Sequence, residues 1–125
     1  MPAQIVIAHD DAEFADKAAS VLRAAGYKVV TLSGSMSALE ALDQTRSVEL
    51  LIACVVFREG TPNGVSLALM ARRKQPGIKV LFTALPDAQE YTRDIGEFLA
   101  MPVSVADVVA TVQWMLAKDE ARGAG

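Results

Sequence analysis

Short apolar runs and amphipathic stretches take turns along the whole chain. Gln4–Ala8 (QIVIA) is apolar after its first residue and stops at the polar triplet His9-Asp10-Asp11, which predicts a strand buried on both faces. Phe14, Ala18, Val21, Leu22 and Ala25 then recur at spacings of three and four. That period predicts a helix from about Ala12 to Ala25, stopped by Gly26. Tyr27–Leu32 (YKVVTL) predicts a second strand. The turn Ser33-Gly34-Ser35 leads into a helix through about Gln44, capped by Ser35 or Ser37, with Met36, Leu39 and Leu42 inward. Val48–Phe57 (VELLIACVVF) is the most apolar run of all and predicts the central strand.

The second half repeats the alternation. Pro62 and the pair Asn63-Gly64 mark a turn, and a helix is expected from about Val65 to Lys74, ended by Gln75-Pro76-Gly77. Ile78–Ala84 predicts a fourth strand and Glu97–Pro102 a fifth, while Leu85–Gly96 between them is polar, weakly periodic and reads as a short, mobile helix. Val105, Val108, Val109, Val112, Met115 and Leu116 form one stripe of a last helix, and Lys118–Gly125 reads as a frayed tail. Strands and helices alternating over short connections favour right-handed crossovers and one parallel sheet. With two helices on one face and three on the other, the expected fold is a flavodoxin-like α/β three-layer sandwich, its five parallel strands in the order 2-1-3-4-5. Residues 1–125 then make a single domain with its core over about 4–117.

Composition narrows the function classes. A chain of 125 residues, 52% hydrophobic, suits one core with much internal strand. No apolar run approaches the ~20 residues that span a bilayer, and the N-terminus lacks the basic region of a signal peptide. No membrane role is expected. The single cysteine forms no internal disulfide, which fits a reducing, cytoplasmic setting. A net charge of −3, from 12 basic and 15 acidic residues, argues against nucleic acid as a partner. The one basic cluster, Ala71–Gln75 (ARRKQ), suits a helix C-terminus.

In sheets of this order ligands bind at the carboxyl ends of the strands, beside the point where the order reverses. That point lies between strands one and three, flanked by His9-Asp10-Asp11 and by Cys54. Cys54 reads first as an inert buried thiol, because nearby carboxylates favour the neutral form over a reactive thiolate. Asp10 and Asp11 read equally as helix caps or as a cation site. Thr83 can serve the sheet alone.

Gln4–Leu42, the run Leu81–Ala84 (LFTA) and the run Glu97–Val109 (EFLAMPVSVADVV) together resemble the receiver domain of two-component response regulators, over about Gln4–Ala117. The resemblance implies phosphoryl transfer from a histidine kinase to an aspartate ending strand three. It also implies Mg²⁺ held by two acidic residues after strand one, with a Thr or Ser and a Lys on the phosphoryl oxygens. Carried over, the first acidic position falls on His9 and the second on Asp10, with Asp11 beside it. The acceptor position is Cys54 and the hydroxyl position is Thr83. The lysine position is Met101, before a retained Pro102, and the aromatic switch position matches Phe98. Gly64 stands for the family's loop glycine about two residues late, and the loop proline is displaced to Pro62.

The resemblance with these departures therefore implies an atypical receiver, not an enzyme and without aspartyl phosphorylation. It is expected to be stand-alone, with no output domain after it, and the alternative of a receiver excised from a longer protein stays open. No cofactor is expected. Mg²⁺ is left with Asp10 and Asp11 as weak candidates, because soft sulfur selects other metals. His9 with Asp10, Asp11 and Cys54 is an incomplete set for zinc. Arg58 and Glu59 read first as a solvated pair, and second as candidates to occupy the emptied pocket in place of lysine and phospho-aspartate. The expected partner is another signalling protein (a histidine kinase, a regulator or an output protein) or a second copy, bound through the last-helix face. Trp114 sits there off the apolar stripe, on a line with Asp107, Thr111 and Lys118, with Tyr91 and Met101 as neighbours. Two alternatives stay open: a phosphoacceptor using a displaced carboxylate such as Asp11 or Glu59, and a flavodoxin-like small-ligand binder. Against the latter, no Gly-rich phosphate loop follows strand one.

Overall fold

The computed structural model describes residues 3–124, with side chains through residue 117. Its elements are β1 (Gln4–Ala8), α1 (Ala12–Ala24), β2 (Lys28–Leu32), α2 (Ser35–Gln44), β3 (Val48–Ala53), α3 (Gly64–Lys74), β4 (Lys79–Ala84), a 3-10 turn (Pro86–Ala88), α4 (Gln89–Thr92), β5 (Glu97–Ala100) and α5 (Val105–Ala124). All strand pairs are parallel, in the order β2-β1-β3-β4-β5. This is the flavodoxin-like topology that the alternation predicts.

Each central strand divides its side chains between two cores, as a period of two requires. Ile5 and Ile7 of β1, Leu50 and Ile52 of β3 and Leu81 of β4 pack with α1 and α5. Val6 and Ala8, Leu51 and Ala53, and Val80 and Phe82 pack with α2 and α3 on the other face. Both faces of β3 are buried, which is why its sequence is apolar without alternation.

The helices rotate their predicted stripes slightly. In α1 the sheet takes Phe14, Ala15, Ala18, Ala19 and Leu22, while Val21 is exposed and Ala25 lies past the last turn. The alanines let the helix lie close to the sheet, which turns Val21 off the contact. Gly26, at a φ of 103°, ends the helix as expected: its amide bonds Arg23 O, and Tyr27 N–H reaches Leu22 O. In α2 the inward residues are Ser35, Ala38, Leu39 and Leu42, and Met36 is exposed. Neither Ser35 nor Ser37 is the N-cap. Gly34 holds that position, and Ser37 Oγ donates back to its carbonyl. Asn63 caps α3 by accepting from Ser66 N–H.

Four predicted strands end early or start late, and β3, which ends four residues early, shows the largest change. The ladder stops where Cys54 N–H bonds Ala8 O, and Gly64 N–H then takes Val55 O, bending the chain out so that Val56 is exposed. The polar stretch after β4 yields the 3-10 turn and one turn of α4, with Thr92 buried beneath. The backbone of α5 continues through Ala124, and the side chains of the expected tail, 118–125, lie outside the described residues.

Gly64 sets the close approach of loop to strand. A Cβ there would stand 2.0 Å from the Cys54 carbonyl oxygen, whereas one on Gly77 would meet nothing within 4 Å. Gly64→Ala is therefore expected to lower unfolding free energy by about 1–3 kcal/mol, and Gly77→Ala by much less, as read from urea midpoints.

Candidate functional site

Four chain segments arrive together at the carboxyl edge of the sheet. His9 follows β1, Cys54 follows β3, Thr83 is the penultimate residue of β4 and Met101 follows β5. The first three are buried and Met101 is half-buried. Backbone bonds fix their places: His9 N–H to Leu32 O, Cys54 N–H to Ala8 O, and Met101 N–H to Ala84 O at 2.7 Å. Beside them Asp10 is 60% exposed, and Asp11 Oδ1 accepts from Phe14 N–H at 3.1 Å as the cap of α1.

The organising contact joins β1 to β4 across the end of β3. His9 Nε2 lies 3.0 Å from Thr83 Oγ1, and His9 Nδ1 accepts the Asp11 amide at 3.0 Å. An acceptor at Nδ1 places the ring proton on Nε2, so the imidazole is neutral and donates to the threonine hydroxyl. β1 and β4 stand two strand spacings apart, roughly 10 Å, so the ring bridges over the segment carrying Cys54. Phe14 packs against it with ring centroids 4.9 Å apart. Burial pushes the His9 pKa below its ordinary value, with Asp10 and Asp11 pulling the other way. The 3.3 Å approach of Nδ1 to Asp10 Oδ1 is thus not an ion pair in the neutral form.

Cys54 is equally quiet. Its thiol donates to Val56 O at 3.3 Å, and its pKa is pushed up to about 12, first by burial, then by the Asp10 carboxylate, against an opposing hydrogen bond from the Asp10 amide. A protonated, covered thiol is a poor nucleophile.

Arg58 and Glu59 do not enter this pocket. Both are exposed and line a separate groove with Val56, Phe57 and Tyr91. The outward bend after Cys54 carries them away from Asp10, so it is His9, and not the loop, that occupies the site. Phe98 is half-buried and packs against the α2–α3 core, and Pro102 follows Met101 through a cis peptide bond. Trp114, 52% exposed, lies beside Lys79, Gly96 and Glu97, whereas Tyr91, 64% exposed, lies at the β3–α3 loop. The two aromatics do not share a groove.

Comparison with solved structures gives close matches across the whole chain. A CheY-like response regulator receiver domain protein from Methanospirillum hungatei superposes with a TM-score of 0.85 at 18% identity, over 98% of this chain and 99% of that one. The fold is that of a CheY-like receiver domain. The receiver domain of the hybrid histidine kinase CckA matches at 0.77 and 24% identity, over 90% of this chain and 98% of that one. A response regulator receiver protein from Sinorhizobium medicae matches at 0.81 and 23% identity, over 93% and 95%. No protein-family model matches the chain, and no curated protein does. In this receiver fold the carboxyl edge of the sheet holds one long-range polar bridge, His9 to Thr83. Sequence reasoning named both residues without pairing them. The available signal was the only histidine in the chain, placed directly after an interior strand.

Two outcomes follow from this chemistry. A histidine with a depressed folded pKa binds fewer protons folded than unfolded near pH 6, so stability rises with pH there. In chelator-treated buffer, the urea midpoint of the wild type is expected to be level above about pH 6.5, the unfolded value, and to fall below it. His9→Gln, which retains a donor for Thr83, should lack that part of the fall. Cys54 in the folded protein should react with iodoacetamide at neutral pH roughly a hundredfold or more slowly than in urea.

Proposed function

We propose that this chain is a signalling receiver that works by binding another protein and does not accept a phosphoryl group. The observation that supports this most is the His9–Thr83 hydrogen bond, which sets a buried imidazole against the hydroxyl that a phosphoryl oxygen would otherwise approach. Cys54 at the acceptor position has no carboxylate to phosphorylate, and Met101 brings no cation to the phosphoryl oxygens.

The residues present do not fit Mg²⁺. That ion takes six oxygen ligands in a strict octahedron and is usually held by one or two carboxylates. Here the nearest donors are an imidazole, a thiol and the exposed Asp10 carboxylate, while Asp11 is committed to its helix cap. No displaced carboxylate substitutes for the acceptor, since Glu59 faces the loop groove. The buried imidazole at the point where strand order reverses likewise speaks against a small-ligand binder.

Signalling then rests on conformational preference. Thr83 and Phe98 are retained at the switch positions, and a partner that binds one arrangement more tightly shifts the population toward it. The partner, a kinase, regulator or output protein or a second copy, is expected on the surface that carries α5, with Trp114 as its aromatic anchor. Tyr91 serves the neighbouring loop face. Among the described residues no helix is long and apolar enough to cross a membrane, and a free, buried thiol suits the reducing, cytoplasmic setting proposed for it.

Amide NMR spectra recorded with Mg²⁺, and then with Mg²⁺ and beryllofluoride, test the reading. Unchanged spectra in both steps are expected. Beryllofluoride-dependent shifts at Asp10, Thr83 and Phe98 would show an acceptor carboxylate and overturn it. The combined variant His9→Asp, Cys54→Asp, Met101→Lys is expected to gain both responses.

A further inference from the structure

The group of side chains that closes the carboxyl edge is itself a set of metal donors. A ring nitrogen of His9, a carboxylate oxygen of Asp10 and the Cys54 sulfur all lie within 4.8 Å of one another, a grouping found nowhere else among the described residues. Within it two acceptors face each other, since Nδ1 of the neutral ring and Asp10 Oδ1 are 3.3 Å apart. Lone pair against carboxylate is a repulsive contact that a cation relieves. Donors at ~2.0–2.1 Å from a tetrahedral zinc ion stand roughly 3.3–3.4 Å apart, which is the spacing of this pair. Thr83 completes the arrangement from outside. By accepting the Nε2 proton it fixes the tautomer that leaves Nδ1 basic and turned toward Asp10, the service an outer partner performs for a ligating histidine.

Donor chemistry selects the ion. Imidazole, thiolate and carboxylate together suit zinc or cobalt, and a magnesium-like cation is disfavoured by both nitrogen and sulfur. We propose that His9 Nδ1, the Asp10 carboxylate and Cys54 Sγ bind a divalent transition metal of the zinc class, with a fourth, solvent-facing position beside the exposed Asp10. Three protein donors with one open position is the composition of an open zinc site, so the set that falls short for a closed structural site suffices for this one. On binding, the ion replaces the Asp11 amide at Nδ1. The thiol gives its proton to solvent as the metal–sulfur bond forms, so one proton leaves per ion bound. The inference goes beyond the receiver reading and stands on donor geometry alone.

Titration of the full chain with Co²⁺ alone, followed by competition with Zn²⁺, tests the site. One equivalent of Co²⁺ is expected to give a near-ultraviolet thiolate-to-cobalt charge-transfer band that Zn²⁺ bleaches and excess Mg²⁺ leaves intact. Cys54→Ser should abolish the band and weaken Zn²⁺ binding by about a hundredfold or more. Asp10→Asn, at an exposed side chain that the fold does not need, should weaken it at least about tenfold. Glu59→Gln, in the separate groove, should change neither. A wild type with no charge-transfer band would overturn the proposal, as would equal Zn²⁺ affinity in the wild type, Cys54→Ser and Asp10→Asn. The beryllofluoride response is read separately, so a failure of either reading leaves the other intact.

Discussion

One buried hydrogen bond, from the His9 imidazole to the Thr83 hydroxyl, governs the carboxyl edge of this molecule. A parallel sheet leaves the ends of its central strands facing inward from loops, where polar groups must find partners or lose free energy. His9 and Thr83 satisfy each other there. In doing so they join β1 to β4 over the end of β3, tying together strands that share no ladder. The cost of breaking the pair is that of leaving a buried hydroxyl and ring nitrogen unmet, about 1–3 kcal/mol for each orphaned group. The bond therefore works as a structural staple.

That bond depends in turn on the turn that follows β1. Asp11 caps α1 with its side chain and offers its amide to His9 Nδ1, so the helix start and the histidine tautomer are set by the same residue. Phe14, in the first turn of α1, covers the ring. Three successive features of a short segment thus keep the imidazole neutral and pointed at Thr83. Asp10, between them, turns its carboxylate to water, as Asp11 does, while His9 and Phe14 are buried.

The fold was legible because a doubly buried parallel sheet writes itself into the sequence as uninterrupted apolar runs, and Ile5–Ala8 and Leu50–Ala53 are such runs. Strand order followed from alternation and short connections. Helix faces were less legible: Val21 and Met36 fit the helical period as well as Ala15 or Ala38 do. Only the distance from helix to sheet decides among them, and period carries no distance. The site was legible in its parts and not in its connections. His9 and Thr83 are 74 residues apart, so no local pattern pairs them. Arg58 and Glu59, weighed as charged substitutes in the pocket behind a solvated surface pair, lie out in the loop groove. The bend at Val55–Val56, set by the Gly64 amide, is a backbone event that side-chain pattern does not record.

Electrostatics explains why this edge is stable as it stands. A pocket built to hold a magnesium ion and a phosphoryl group gathers like-charged carboxylates, and in the empty state they repel one another and resist burial. In this chain His9 and Cys54 are neutral, Thr83 and Met101 carry no charge, and the one carboxylate of the group reaches solvent. Burial and neutrality reinforce each other: each apolar neighbour that covers His9 disfavours its proton, and a neutral His9 tolerates further cover. The same logic limits what the pocket can admit. A hydrated anion meets no positive charge there to offset its desolvation, and a hard cation meets a single carboxylate beside nitrogen and sulfur donors that it binds poorly.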